Sequence, residues 1–309
     1  MRVSVIIPTV NRQETLVRLL EYLGEQTLTP DEIIVVEQGE ILWKQDNIPH
    51  KLRASFYPVY THRKSLSAAR DTGRRIASGD FLFFFDDDIL LPMNYLQEAV
   101  HYLHSNSDCL AVGGRYVDEI ICERKSLIIG RILGIYGNGS SNKLLSSGWG
   151  DYVRGKYASS ITRAEWLFGC NFAVRSTVFE KAFFETNLER WSFLEDLFFG
   201  LSLRQAYGDC IRLLPSLTVT HAPTQSSGEI SPMSIRMRIL YRYILWHKYL
   251  DDGSKMRLIH FITGMFAKFI LILKQKPRLW VLGEQLYTFK FLMKNRELTI
   301  KDANDFIFS

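Results

Sequence analysis

Short apolar runs alternate with amphipathic segments along the chain, which predicts strands separated by helices. The first run is Val3–Ile7, and the segment after it has apolar residues at Leu16, Leu19 and Leu23, the spacing of one helix face. A second predicted strand covers 32–36, where four β-branched apolar residues follow Glu32. A strand, a helix and a strand within so short a stretch predict a βαβ unit, and its right-handed crossover implies parallel strands.

An aromatic run that ends in three carboxylates is the most informative stretch. Phe81–Phe85 is apolar throughout, which is typical of a strand buried on both faces. Asp86, Asp87 and Asp88 follow, and the chain must leave the sheet there because carboxylates avoid a dry core. Ligands bind at this edge in open α/β sheets. Three adjacent negative charges favour a hard divalent cation, although an acidic turn that caps the next helix is the alternative.

Composition bounds the organisation of the protein. The 309 residues, 47% of them hydrophobic, suffice for one large α/β domain with an appendage or for two small domains. We expect a domain over 1–228 and a helical region over 229–309. Residues 41–58 look irregular, and the Gly- and Ser-rich stretch 130–155 predicts a long mobile loop. The four cysteines form no CxxC pair, and the start lacks the features of a secretion signal, so we expect reduced thiols and a cytoplasmic protein.

The C-terminal region differs in charge from the rest of the chain. Residues 233–301 contain 14 Lys and Arg against 4 Asp and Glu, whereas the whole chain has a net charge of only +5. The apolar run Leu258–Leu273 includes His260 and Lys268, which makes a membrane crossing costly. Basic amphipathic helices lying on a membrane surface fit this pattern. The alternative is a helical pair packed on the catalytic domain or forming a homodimer. No motif for reading nucleic acid is present in the sequence.

Several short motifs follow one another between residues 3 and 221. They are Val3–Thr9 with Asn11 and Arg12, Glu32–Val36, Ala69–Gly73, Gly79–Asp80, Phe85–Asp88, Gly169–Asn171, Glu195–Asp196 and His221. Their order and spacing resemble glycosyltransferase family 2, whose members are inverting nucleotide-sugar transferases. The resemblance implies the GT-A fold, a Rossmann-like α/β domain with a mostly parallel sheet flanked by helices, here followed by a C-terminal helical extension.

The resemblance also implies a divalent metal site, for Mn²⁺ or Mg²⁺, at the aspartates. Asp88 matches the direct metal ligand, while Asp86 faces the ribose or the metal, and Asp87 lies at the donor. His221 matches the late histidine of the metal site, although it could equally be a histidine that caps a strand end. A metal held there would neutralise charge on the departing diphosphate.

The acid pair Glu195–Asp196 matches the position of the catalytic base. Asp196 is expected to take the proton of the acceptor hydroxyl, and Glu195 to orient the acceptor or to act as base instead. The alternative is an acid pair stabilised at a helix N-terminus by the helix dipole.

Five further residues are expected at the nucleotide. The resemblance implies that Pro8, Thr9 and Arg12 bind it from the first loop. It implies the same role for Glu37, at the end of the second strand, and for Arg70. Glu37 stands where the family commonly has Asp, which leaves uridine, thymidine and guanosine open. Arg70 could instead be a surface cation.

The expected function is inverting transfer of a sugar from a nucleoside-diphosphate donor to a glycan or lipid-linked acceptor at the inner face of the cell membrane. Two alternatives stay open: a sugar nucleotidyltransferase, and a non-catalytic protein that binds nucleotide sugars or membranes.

Overall fold

The computed structural model describes residues 1–40, 46, 48–115, 124–221, 230–273 and 279–309. At 54, 124–126, 221, 266–273 and 279 it describes the backbone and not the side chain. The chain divides into two units, Met1–Ile120 with Ala158–Gln225, and Ile121–Tyr157 with Ser226–Ser309. The division expected between 228 and 229 stays a prediction, and residues 121–157 group with the C-terminal helices.

The first unit alternates strands and helices, as the hydrophobic pattern predicted. Its first elements are β1 (Val3–Thr9), α1 (Gln13–Gly24), β2 (Glu32–Glu37), β3 (Phe56–Tyr60), α2 (Leu66–Ile76), β4 (Phe81–Phe85), β5 (Ile89–Leu90), α3 (Tyr95–Ser105) and β6 (Ala111–Gly113). The second unit then contributes α4 (Arg124–Ile132), β7 (Lys143–Leu144) and β8 (Gly150–Asp151). The first unit continues with β9 (Thr162–Arg163), β10 (Asn171–Arg175), α5 (Glu195–Tyr207), β11 (Ile211–Leu213) and β12 (Thr220–His221).

In the described part of the chain, eight strands form one sheet in the order β3-β2-β1-β4-β10-β6-β11-β9. β3, β2, β1 and β4 are parallel neighbours, whereas β10 is antiparallel to both β4 and β6. Val5 of β1 is paired with Ile33 on one side and with Phe83 on the other. The mostly parallel α/β sheet predicted from the sequence is therefore present.

β4 is buried on both faces. The ring of Phe84 stacks on Phe172 of β10, with centroids 4.8 Å apart. Phe85 points to the opposite face, where its ring lies 5.3 Å from that of Tyr95 on α3. Burial of one such side chain stabilises the fold by about 1.5–3 kcal/mol. The aromatic run therefore anchors β4 in the core and fixes Asp86 as the point where the chain leaves it.

Two details of the sheet differ from the sequence pattern. β1 continues through Pro8 to Thr9, and the Thr9 carbonyl accepts from the N–H of Gln38 on the β2 side. The backbone N–H and C=O groups of successive strand residues are directed at alternate neighbouring strands. Position 8 is therefore directed at β4, whose pairing with β1 ends at Ile6, so the N–H that Pro8 lacks is not needed for the sheet. The stretch expected to be irregular, 41–58, contains the start of β3, which is an edge strand of the described sheet and is paired with β2.

Within its described residues, the second unit continues with four helices, α6 (Pro232–Tyr249), α7 (Lys255–Leu273), α8 (Leu279–Lys294) and α9 (Ile300–Ile307). α6 packs on α8 and α9, and the Tyr241 hydroxyl donates to Asn304 at 2.6 Å. Arg236 forms an ion pair of 2.5 Å with Glu284, and the buried Arg242 guanidinium lies 3.5 Å from the Trp149 ring centroid. α6 is thus a core helix of this unit, although its sequence predicted a surface helix.

The Gly- and Ser-rich stretch 130–155 is not the simple loop that its composition predicted. It holds the end of α4 and the β7–β8 hairpin. The indole N–H of Trp149 donates to the Gly264 carbonyl at 3.0 Å, and that of Trp246 donates to the Ser146 carbonyl at 3.0 Å. Among the described helices, none combines the length and the apolar composition that a membrane crossing requires. Tertiary contacts, which composition does not report, hold this segment.

Candidate active site

The three aspartates form a turn directly after β4, at the sheet edge where the parallel strands end. Asp87 and Asp88 are buried, while Asp86 is half-buried. The backbone N–H of Asp86 donates to the carbonyl of Cys170 at 3.1 Å. Because β10 is antiparallel to β4, the start of β10 with Asn171 lies beside this acidic turn.

The loop after β1 supplies counter-charge to the acidic turn. The Thr9 hydroxyl donates to Asp87 at 2.5 Å, and Nη1 of Arg12 lies 3.1 Å from the Asp87 carboxylate and 3.0 Å from that of Asp88. Burial raises the pKa of Asp87 to about 7, although Thr9 and Arg12 oppose the shift. Burial by itself would lower the pKa of Arg12, but the two aspartates raise it. A cation of the protein thus partly balances the repulsion that the sequence assigned to a metal.

Glu37 ties two loops of the same edge together. Its Oε1 accepts from the backbone N–H groups of Asn11 at 3.2 Å and Gly39 at 2.8 Å. Asn11, whose φ is +54°, in turn accepts from the N–H of Glu40 at 2.7 Å. Glu37 and Pro8 are both buried at the ends of their strands. Their expected contacts with a nucleotide stay predictions, and the observed role of the Glu37 carboxylate is to hold the backbone.

Arg70 joins the acidic turn to the acid pair of α5. Its side chain is fully buried, and Nη2 donates to Asp86 at 2.7 Å and to the Gly169 carbonyl at 2.7 Å, while Nη1 is ion-paired with Glu195. Burial by itself would lower the pKa of Arg70, but the charges of Glu195 and Asp86 outweigh it and raise the pKa. Asp86 and Glu195 therefore form ion pairs with the same guanidinium group. Because this group is buried, Arg70 is not a surface cation.

The acid pair opens α5. Glu195 is buried, and burial raises its pKa against the charge of Arg70. Asp196 is half-buried, accepts from the N–H of Leu197 at 2.9 Å and lines a small apolar cavity with Phe172. Burial and the neighbouring Glu195 charge raise the pKa of Asp196 to about 7. A carboxylate that titrates near neutral pH is suited to accepting a proton from a hydroxyl group.

The backbone before α5 has an unusual conformation. Arg190, Ser192 and Leu194 have φ values of +57°, +47° and +70°, a region that residues other than glycine seldom adopt. Such conformations cost about 1–3 kcal/mol each and persist where the surrounding structure imposes them. The buried Ser192 hydroxyl accepts from the N–H of Ser67 at the start of α2, at 3.2 Å. Docking against α2 thus fixes where α5 begins and where Asp196 lies.

The backbone of His221 lies beside the acidic turn. β12 is antiparallel to β5 and places His221 opposite Ile89, the residue after Asp88. The side chain of His221 lies outside the described residues. Among the described side chains, no group of three His, Cys, Asp or Glu residues is placed to hold a metal ion. Two carboxylates with substrate phosphates are a common ligand set for Mg²⁺, so Asp86 and Asp88 stay the predicted metal ligands.

Residues 4–149 match the model of a protein family described as Glycosyl transferase family 2. The matched range contains the first loop, Arg70 and all three aspartates. Over this range the chain is similar to glycosyl transferase family 2. This confirms the resemblance seen in the motifs, while the acid pair Glu195–Asp196 lies beyond the matched residues.

Known family relatives match part of the chain. The poly(ribitol-phosphate) beta-N-acetylglucosaminyltransferase TarP of Staphylococcus aureus (strain N315) is 30% identical over 139 residues, which cover 40% of this chain and 41% of TarP. The chain spans about half the length of the curated relatives it matches.

Solved structures extend the likeness over almost the whole fold. S. aureus TarS 1-349 in complex with UDP-GlcNAc has a TM-score of 0.57 at 16% identity and covers 93% of this chain and 79% of its own. The Pyrobaculum calidifontis mannosyltransferase in complex with GDP-Man and Mn²⁺ has a TM-score of 0.52 at 16% identity and covers 94% and 80%. The chain therefore has the GT-A fold followed by C-terminal helices, as predicted.

The structure brings several of the predicted site residues into contact within the first unit. Thr9 and Arg12 contact the acidic turn at Asp87 and Asp88, and Arg70 contacts both Asp86 and Glu195. Glu37 holds the backbone of the first loop, and Asp196 follows Glu195 in the chain. Their chemical roles stay predictions. Gly169 belongs to one of the motifs of the resemblance, but no role was predicted for it. Ser192 was missed, because nothing in the sequence marks it.

Proposed function

We propose that the protein is an inverting glycosyltransferase that moves a sugar from a nucleoside-diphosphate donor to a hydroxyl group of a glycan or lipid-linked saccharide. The observation that carries the proposal is the shared guanidinium of Arg70, which holds both Asp86 and Glu195. It brings the acids expected at the donor and the acids expected at the acceptor to one end of the sheet. Solved relatives with UDP-GlcNAc and with GDP-Man and Mn²⁺ support a nucleotide-sugar donor.

In the proposed reaction, Asp196 is the base. Its carboxylate takes the proton of the acceptor hydroxyl as that oxygen forms a bond to the anomeric carbon of the donor sugar. The bond from the anomeric carbon to the diphosphate oxygen breaks, and its electron pair leaves with the nucleoside diphosphate. Attack opposite the leaving group inverts the anomeric configuration. General base catalysis of this kind contributes about 10²–10⁴-fold to the rate.

The loops at the sheet edge bind the donor in this proposal. Asp86 and Asp88 would hold Mn²⁺ or Mg²⁺ with the diphosphate, with His221 as a further ligand. A divalent cation bound there supplies positive charge to the departing diphosphate. Arg12 contributes a second positive charge at the same turn, where it pairs with Asp88. The hydrogen bond from the Thr9 hydroxyl holds the Asp87 carboxylate in place.

Two variants test the assignment. Asp88→Ala should abolish the part of UDP or GDP binding that depends on Mn²⁺, measured by calorimetry with and without the metal. Asp196→Asn should bind the same nucleotide with unchanged affinity while transfer falls by at least about 100-fold. Metal-dependent binding in Asp88→Ala would remove the site assignment. An active Asp196→Asn variant would overturn the role of Asp196.

The acceptor side of the proposal concerns the second unit. Large apolar side chains are exposed on its helices, among them Ile128 and Ile132 on α4, Met256 and Ile259 on α7, and Trp280 on α8. The basic excess of residues 233–301 falls mostly on the same unit. Exposed apolar side chains among cationic ones suit the surface of an anionic membrane. We include in the proposal a peripheral position at the cytoplasmic membrane face, and a homodimer as the competing use of this surface.

Vesicle sedimentation distinguishes these two uses. The protein should sediment with phosphatidylglycerol vesicles and not with phosphatidylcholine vesicles, and added salt should release it. Met256→Asp together with Ile259→Asp should weaken the binding. Phe183→Asp is the matched control, because Phe183 is an exposed apolar residue of the first unit. Equal binding of all variants would refute a membrane role for α7, and dimer loss in the α7 variant would favour the homodimer.

A further inference from the structure

The side chain of Arg70 does not reach the surface of the described part of the chain, although its Nε has no hydrogen-bond partner there. Its side-chain exposure is 0%, although it belongs to a site at the edge of the sheet. Nη2 is used by Asp86 and by the Gly169 carbonyl, and Nη1 by Glu195. The ring of Phe172 covers the guanidinium, with 5.9 Å between the ring centroid and Cζ. A contact with a nucleotide base would require an N–H group that reaches the surface, and this guanidinium is buried.

Gly169 makes this arrangement possible. A methyl group at position 169 would overlap a carboxylate oxygen of Glu195 and would lie 3.2 Å from Nη1 of Arg70. The absence of a side chain therefore allows the carbonyl of Gly169 to approach Arg70 while Glu195 approaches from the other side. A carbonyl and two carboxylates around one planar group fix its position, since the fork of arginine has a rigid geometry.

We propose that Arg70 is a positioning residue, which fixes the acid pair at the start of α5 against the acidic turn after β4, and that it does not bind the nucleotide. This inference rests on the proposed function, because it assigns Arg70 to the step in which Asp196 acts as base. Arg70 holds Glu195 directly, and the backbone carries that constraint to the neighbouring Asp196.

The physical reason is charge balance in a buried place. Glu195 is 6% exposed, and its Oε2 has no hydrogen-bond partner in the described part of the chain. Without a cation, a carboxylate so buried would take up a proton or move towards water. Either change would shift the first turn of α5. Arg70 thus keeps Glu195 charged and in place.

The test compares Arg70→Lys, Arg70→Met, Glu195→Gln and the double variant Arg70→Met/Glu195→Gln. Arg74→Met is the matched control, because Arg74 lies one turn further on α2 and has its own ion pair with Asp71, 2.8 Å long. Calorimetry measures binding of UDP and of GDP with Mn²⁺, and release of nucleoside diphosphate from a panel of sugar donors measures turnover. Thermal unfolding identifies variants that fail to fold.

We expect nucleotide affinity to stay within about threefold in both Arg70 variants, while kcat at saturating donor falls by about 100-fold in Arg70→Met. Arg70→Lys should recover part of the loss, because it keeps the charge. The double variant should be no slower than the slower single variant, since both changes break one interaction. It should also unfold at a higher temperature than Arg70→Met, because it no longer buries the unbalanced Glu195 charge. Arg74→Met should leave kcat unchanged.

Two results would overturn the inference. One is a loss of at least tenfold in UDP or GDP affinity in Arg70→Lys with kcat retained, which would make Arg70 a nucleotide ligand. The other is multiplication of the two single effects in the double variant. Wild-type protein that binds neither UDP nor GDP and releases neither from any donor would overturn the proposed function, and this inference with it.

Discussion

Gly169→Ala is the most direct test of how tightly the acid pair is held. The change adds one methyl group to a position where it overlaps a carboxylate oxygen of Glu195 and lies 3.2 Å from Nη1 of Arg70. The atoms in the way are the ends of two side chains that form a buried ion pair, so neither can swing freely. Overpacking costs typically about 1–3 kcal/mol, and breaking a buried ion pair about 3–5 kcal/mol. We therefore expect a loss of about 2–4 kcal/mol in the free energy of unfolding.

Urea unfolding of wild type and variant at one pH measures this loss, with equal slopes required for the comparison. Gly283→Ala is the control, since a methyl group there meets no atom within 4 Å and lies in helix α8. That variant should gain up to about 1 kcal/mol from helix propensity.

A double-mutant cycle locates the cause. In a Glu195→Ala background the oxygen that the methyl group overlaps is gone, so Gly169→Ala should cost less than about 1 kcal/mol there. A cost below about 0.5 kcal/mol in the wild-type background would refute the reasoning. It would mean that Glu195 and Arg70 can move apart freely, and that the geometry of the acid pair is not fixed by this contact.

Three further predictions concern charge. Because burial and the charge of Glu195 raise the pKa of Asp196 to about 7, kcat/KM should fall about tenfold per pH unit below pH 7, and a profile flat from pH 5 to 8 would contradict this. Thr9→Val removes a hydrogen bond that opposes the raised pKa of Asp87, so the folded pKa should rise further above its unfolded value. A raised carboxyl pKa destabilises the fold when the group is ionised. Urea unfolding of Thr9→Val should therefore show that the free energy of unfolding is lower by about 1–2 kcal/mol at pH 9 and by less at pH 5. Equal losses at the two pH values would contradict this explanation. Arg12→Met should raise the affinity of the protein for Mn²⁺, measured without donor, by about fivefold. Arg12 competes with the metal for the Asp88 carboxylate, and a partly exposed ion pair of this kind contributes about 1 kcal/mol. An unchanged affinity in calorimetry would contradict this competition.

The local pattern of the sequence was sufficient for much of the first unit. Phe81–Phe85 could be predicted as a buried strand because five apolar residues in a row suit a strand covered on both faces. The acidic turn after it followed from the cost of burying a carboxylate. The strand Phe56–Tyr60 was missed, because an edge strand is half-exposed and contains Pro58, so neither alternation nor a continuous apolar run marks it.

The second unit was harder to predict from its sequence. Its interleaved arginines and apolar residues suggested a helix at a membrane surface, yet Arg236 is paired with Glu284 and Arg242 lies on Trp149 inside the unit. Helix periodicity shows which residues share a face, but it does not show what covers that face. The partners lie on other segments, so only the packed chain reveals them.

By itself, the sequence determined the βαβ start, the aromatic strand with its acidic end, and the resemblance to a family, since all of these depend on short stretches of the chain. The tertiary structure decided which groups balance the acids. Arg12 meets Asp87 and Asp88, and Arg70 joins Asp86 to Glu195, across separations that no spacing rule covers. Buried charges must be balanced wherever they meet, and where they meet is set by how the strands and helices pack.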